Sequence, residues 1–138
     1  MNRRELVAAM GAATVFAAAN AGAETLDAET VYELRIYHLN EGKLPLILDR
    51  FKTKETAIFA RLGMHGVGYW TPTEGELEGK TLIYMLRHKS REAARDSWAK
   101  FKVDPEWVAL KAESEKDGVF VAKSESTFLK LTDFSPKL

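Results

Sequence analysis

The sequence predicts an α+β domain of the ferredoxin-like kind, a β-α-β-β-α-β chain folded into a four-stranded antiparallel sheet with helices on one face. Three observations carry this expectation. Apolar residues alternate with a period of two over 31–38. They switch to a helical period over 44–62. Two further strand-like runs then follow, and after them a pair of helices and a last strand. At 138 residues, with 46% hydrophobic and 29% charged residues, the chain is one domain by size and ordinary by composition.

The first strand is read from VYELRIYH, Val31–His38, which is rich in β-branched and aromatic residues. Tyr32, Leu34, Ile36 and His38 fall on one side, and Val31, Glu33, Arg35 and Tyr37 on the other. Asn40-Glu41-Gly42 is a turn. Leu44, Leu48, Phe51, Ile58, Phe59 and Leu62 then form the stripe of an amphipathic helix, with Pro45 in its first turn and Gly63 as its stop.

His65–Thr73 and Lys80–His88 read as two strands of an antiparallel hairpin, joined by the polar loop 74–79. Ser90 is the N-cap of a helix carrying Ala94, Trp98 and Phe101. Asp104-Pro105 opens another helix, with Asp104 as cap and Pro105 in the first position. Val119–Lys123 reads as a short extended piece and Ser126–Phe134 as the last strand. Helices on one face leave the other face of the sheet apolar and wet. Face-to-face pairing of two copies would cover it, so a homodimer is expected.

Residues 1–23 have a different character. Arg3-Arg4 precedes a weakly apolar, Ala-rich run that ends in Ala21-Gly22-Ala23, a small-x-small cleavage pattern. The run is too short and too weakly apolar to span a bilayer, so stable membrane insertion is not expected. The paired arginines followed by Leu6-Val7 resemble a twin-arginine export signal, which carries folded proteins; an ordinary secretory signal is the other reading. Cleavage near Ala23 would leave a short linker over 24–30 and then the domain, 31–138, in the periplasm or outside the cell.

Charge and composition exclude several function classes. Twenty basic and twenty acidic residues cancel and are interspersed, so nucleic-acid binding is not expected. No cysteine is present, which removes thiolate catalysis, disulfides and cysteine-ligated metals. The three histidines, His38, His65 and His88, make no close ligand pair, so no metal site or cofactor is indicated by motif.

Several stretches resemble the NIPSNAP family. They are Tyr32-Glu33-Leu34-Arg35-x-Tyr37 with Gly42-Lys43-Leu44, Gly63-Met64 followed by Val67-Gly68-Tyr69-Trp70-Thr71, Asp104-Pro105-Glu106-Trp107, and Leu129-x-Leu131-Thr132-Asp133-Phe134-Ser135-Pro136. The resemblance implies a dimeric α+β barrel. That superfamily includes haem-degrading and quinone-forming monooxygenases and isomerases, and members without known chemistry.

The candidate site is the polar set Glu33, Arg35 and Tyr37 on the first strand. If Tyr32, Leu34 and Ile36 pack on the helices, this set points into the interior between two sheets. There Arg35 could anchor an anion, with Glu33 as its partner or as a proton acceptor. An ion pair that fixes dimer register is the structural reading of the same residues. Arg87, opposite Arg35 in a plausible sheet, could add a second cation, or is a solvated strand-end arginine. Trp70, beside Gly66 and Gly68, could border an opening for a flat ligand, or the glycines could admit a close helix. His65 and His88, at facing strand ends, are the candidates for a general base or a haem ligand, or are simply strand-end histidines. Trp98 and Trp107 read as packing. The expected function is small-ligand binding, of an apolar or anionic molecule, or interaction; the alternative is a superfamily enzyme such as a cofactor-independent monooxygenase or a haem-handling protein.

Overall fold

The computed structural model describes residues 28–138, so the leader read at 1–23 and most of the linker lie outside the described residues. Strand β1, Val31–Leu39, is central in a four-stranded sheet of order β2-β3-β1-β4. β2 is His65–Trp70, β3 is Thr81–His88 and β4 is Val121–Leu129, and each neighbouring pair is antiparallel. The split β-α-β-β-α-β order is the one expected.

The long helical stripe forms one continuous helix with an irregularity in the middle. α1 spans Leu44–Arg50, a π turn occupies Phe51–Glu55, and α2 spans Thr56–Arg61. The amide of Thr56 donates to the carbonyl of Phe51, five positions back, and the Thr56 hydroxyl donates to the same oxygen at 2.9 Å. The helix ends where Gly63 turns left-handed at φ 89°. The amides of Gly63 and Met64 then donate to Ala60 and Phe59, the paired bonds of a Schellman cap.

Both later helices are capped as their sequences require. α3, Arg91–Val103, starts with the Ala93 amide donating to Ser90 Oγ at 3.0 Å. α4, Pro105–Ser114, starts with the Trp107 amide donating to Asp104 Oδ2 at 3.1 Å. Such a cap contributes about 1 kcal/mol. Asp104 also accepts both guanidinium nitrogens of Arg61, which ties the end of α2 to the start of α4.

Two strand boundaries depart from expectation. β2 stops at Trp70, three residues before Thr73. β4 is a single strand from Val121, and nothing beyond Leu129 pairs. The length of β1 is the reason: Leu129 already faces Tyr32 near the start of that strand, so residues past it find no partner backbone. They cross back over the end of the sheet instead, where Arg87 Nη1 donates to the Leu138 carbonyl at 3.2 Å.

The faces of β1 are the reverse of the expected ones. Glu33, Arg35, Tyr37 and Leu39 turn towards the helices, registered against Leu86, Tyr84 and Leu82 of β3. With Ile47, Phe59 and Phe101 these residues build the core, and Ile47, Tyr84 and Leu86 have no exposed surface at all. Burying each such side chain contributes about 1.5–3 kcal/mol. Leu34, Ile36, Ile83 and Met85 lie on the bare face and are only half-buried. Periodicity separated the two faces of β1 but did not orient them. The polar face goes inward, where the Trp98 indole of α3 donates to Glu33.

Candidate functional site

Glu33 is 1% exposed, and four side chains meet its carboxylate. Trp98 Nε1 donates to Oε1 at 2.8 Å, and His88 Nε2 lies 2.8 Å from the same oxygen. Arg35 Nη1 donates to Oε2 at 2.8 Å and Ser126 Oγ to Oε2 at 2.6 Å. Burial pushes this carboxyl up, but the four donors outweigh it and hold it at about 2. Glu33 is thus a permanently ionised strut with its lone pairs occupied, too weak a base to take a substrate proton.

Arg35 connects that strut to open space. Its Nε donates to the Tyr84 hydroxyl at 3.0 Å, and Tyr84 donates on to the Tyr37 hydroxyl at 2.8 Å. Burial, and the neighbouring Tyr37 hydroxyl, push the Tyr84 phenol well above its ordinary value, so it stays neutral. The Arg35 guanidinium lies 4.4 Å from the Trp98 ring centre, a cation–π contact that holds the fork in place.

Arg35 and Tyr37 form the sheet side of a cavity of about 270 Å³ between the sheet and the helix layer. Arg50 and Glu55 enter it from the first helix. Trp107, Lys111 and Glu115 enter from α4 and its end, and Val121 and Ser124 from β4. The walls therefore combine three cations and two carboxylates with aromatic and aliphatic surface, as small-molecule sites do.

The π turn builds the most unusual part of this wall. Arg50 Nε donates to Glu55 Oε1 at 2.8 Å across five residues. In a regular α-helix, side chains meet at three and four positions apart. A π turn advances the hydrogen bond to five and stacks position 55 over position 50. Arg50 Nη1 also donates to Glu115 Oε2 at 2.8 Å and to Ser114 Oγ at 3.0 Å. One guanidinium thus serves two carboxylates. Burial pushes the Glu55 carboxyl up and the nearby Glu115 adds to it. Arg50 and Arg35 pull the other way without cancelling the rise, and the carboxyl lies at about 7. Glu55 is the group here that changes charge near neutrality.

The structure divides the residues singled out in the sequence. Arg35 and Tyr37 line the cavity, and Glu33 supports them from behind. His88 is on the helix side but sits behind Glu33, with its Nδ1 buried and unpartnered among the described residues. His65 is registered against Arg87, and both lie on the face of the sheet opposite His88, so the two histidines at facing strand ends do not meet. Arg87 faces Tyr32 and not Arg35. No histidine is among the residues lining the cavity, which leaves a haem there without an axial imidazole. Among the described residues no group of three or more metal-ligating side chains is present.

A bulge at Val67 separates the two glycines. Gly66 lies on the helix side, where a Cβ would come within 2.4 Å of the Tyr69 hydroxyl; Gly68 lies on the bare side, where a Cβ would come within 2.4 Å of the Trp70 ring. Each glycine accommodates an aromatic ring of its own strand, and Trp70 is 52% exposed on the face away from the cavity. Arg50, Glu55 and Glu115 went unread. The available signal was Glu55, a lone acid in line with Phe51 and Phe59 on an otherwise apolar stripe.

The sequence profile of the NIPSNAP family matches residues 32–136. The chain belongs to the NIPSNAP family. Among solved structures, a NIPSNAP family protein from Agrobacterium tumefaciens is similar at 27% identity and a TM-score of 0.68, over 78% of this chain and 98% of its own. An uncharacterized NIPSNAP-like domain protein from Burkholderia xenovorans is similar at 20% identity and a TM-score of 0.70, over 81% and 93%. This NIPSNAP chain also shares its fold with SnoaB, a cofactor-independent oxygenase from Streptomyces nogalater, at 14% identity and a TM-score of 0.51, over 80% and 100%. At that identity the likeness is one of fold alone. No curated protein matches the chain. Among the described residues no helix is long and apolar enough to cross a membrane.

Proposed function

We propose that this NIPSNAP protein is an exported homodimer that binds a small, partly apolar anion in the cavity between its sheet and its helices. One observation carries the reading: Arg35, Arg50 and Lys111, against the two carboxylates Glu55 and Glu115, line about 270 Å³ of space walled also by Trp107, Tyr37 and Val121, an excess of one cation. That volume is just below the roughly 300–1,000 Å³ of drug-sized sites, so the ligand is smaller than those. Export is supported by Arg3-Arg4 and the Ala21-Gly22-Ala23 pattern. Dimerisation is supported by the bare sheet face, where Leu34, Ile36, Ile83 and Met85 have no helix over them.

Native mass spectrometry of the full chain, recovered after export from a bacterial host, tests this reading. The expected spectrum is a dimer carrying a small molecule, with that adduct lost in Val121→Trp, which fills the cavity. A bare monomer, or an adduct that survives the filled cavity, contradicts it.

A second reading, an enzyme of the wider barrel superfamily, is favoured by Glu55 alone. A carboxyl at about 7 is suited to accept a proton from a bound substrate and return it. That role would appear as exchange of an acidic C–H of a bound ligand with deuterated solvent, abolished in Glu55→Gln.

A further inference from the structure

We propose that the cavity takes up an organic carboxylate together with one proton, the ligand's oxygens accepting from Arg50 Nη2 and from a protonated Glu55 Oε2. The inference rests on the cavity reading above and adds what the ligand must bring with it.

The geometry starts from what is already occupied. Arg50 spends Nε on Glu55 Oε1, and Nη1 on Glu115 Oε2 and Ser114 Oγ. Its Nη2 donates to no side chain or backbone atom of the described residues. Glu55 has Oε1 bound and Oε2 without a donor. Neither atom is among the fully enclosed side-chain atoms that lack a partner, and both side chains line the cavity. An unpaired guanidinium N–H and an unpaired carboxyl oxygen therefore belong to two hydrogen-bonded side chains of one wall.

Those two atoms match a carboxylate only in one protonation state. With Glu55 ionised, an incoming carboxylate would be the third negative group on one guanidinium already shared by Glu55 and Glu115, and because these side chains are almost wholly buried the repulsion is poorly screened. With Glu55 protonated, Oε2 becomes a donor and the pair presents two hydrogens to two ligand oxygens. The balance is simple: a carboxylate and a proton enter, Glu55 gains the proton, and no covalent bond of the ligand changes.

From β1 the site faces Arg35 and the Tyr37 hydroxyl, from β2 Tyr69, from β3 Tyr84, and from α4 and its end Lys111 and Glu115. Arg35 is committed to Glu33, Tyr37 and Tyr84. The Tyr69 and Tyr84 phenols are both raised and stay neutral, Tyr69 by burial and by Glu55 itself. Glu55 thus remains the group that absorbs the proton near pH 7. The flat walls, Trp107 and Tyr37, suit an aromatic or branched aliphatic acid of small size.

Isothermal titration of the full chain with benzoate, in two buffers of different ionisation enthalpy at pH 8, measures the proton directly. Close to one proton should be taken up per benzoate, and the affinity should fall about tenfold per pH unit above neutrality. In Glu55→Gln, whose amide N–H₂ donates where the protonated acid would, benzoate should bind with no proton uptake and little pH dependence between 6 and 9. Benzoate binding to the wild type without proton uptake, or an unchanged pH slope in Glu55→Gln, overturns the proposal and leaves the cavity reading standing. No benzoate binding at any pH overturns both. Should Glu55→Gln fail to fold, the two-buffer measurement on the wild type decides alone.

Discussion

Arg50 and Glu55 are joined at 2.8 Å although they lie five positions apart in one helix. The π turn over Phe51–Glu55 makes this pair, and with it a core carboxyl poised to exchange a proton near neutral pH. π turns recur at functional sites because they rotate a side chain out of the regular helical order. Here that rotation places a carboxyl on the wall of a cavity.

Stability should have an unusual pH profile. Glu33 is depressed in the fold from an ordinary 4.5 to about 2, so it contributes stability that is present above 4.5 and lost as pH falls towards 2. Glu55 is raised from 4.5 to about 7, so the folded state holds a proton that the unfolded state releases, and stability declines as pH rises from 4.5 to 7. Each effect is of order 2–3 kcal/mol, allowing for residual solvent screening at Glu33. Chemical denaturation from pH 2 to 9 should show a maximum near pH 4.5–5, and Glu55→Gln should flatten its neutral side.

Removing the Glu33 carboxylate should be among the most damaging single changes. Glu33→Ala strips the partner from Arg35 and leaves the Trp98 and Ser126 donors unmet in a buried site. A loss of about 3–5 kcal/mol is expected, read as a shift in the denaturation midpoint. A loss under 1 kcal/mol would mean that the four donors do not converge as described.

The two glycines of β2 should respond differently. At Gly66 an added methyl meets the hydroxyl end of Tyr69, a part-exposed ring that can yield only by giving up its stacking on Tyr84 and its edge contact with Phe51. At Gly68 the obstacle is the half-exposed Trp70 ring, which can swing into solvent. Gly66→Ala should cost about 1–3 kcal/mol and Gly68→Ala clearly less. Equal thermal shifts would argue against the bulge at Val67 that separates them.

The bare sheet face gives a test of assembly. Ile36→Lys puts a charge in the middle of that face without touching the helix side. Analytical ultracentrifugation should show a dimer for the wild type and a folded monomer for the variant. A variant that remains dimeric would move the interface elsewhere.

Much of the fold was legible because its signals are local. Ser90 and Asp104 are caps by chemistry, Gly63 is a stop by backbone conformation, and the strand periods are set by the pleat. The orientation of β1 was not legible. Both of its faces carry large side chains, and what decides between them is Trp98, sixty-five residues away, reaching Glu33. The last strand was misplaced for a similar reason, since its limits follow the length of β1 and not its own residues. In the site, Arg35 and Tyr37 were legible as polar residues on a central strand. Glu55 carried a signal, an acid on an apolar stripe, but its contact with Arg50 depends on a π turn that no local rule announces. Glu115 joins them only through tertiary packing.

The account depends most on the state of one carboxyl. Carbon-13 NMR of selectively labelled glutamate side chains, assigned to Glu55 by the Glu55→Gln variant, follows that group through a pH titration with and without benzoate. The account predicts a free-protein midpoint at about 7 that moves upward when benzoate is bound. A midpoint at the ordinary 4.5, unmoved by the ligand, would contradict it.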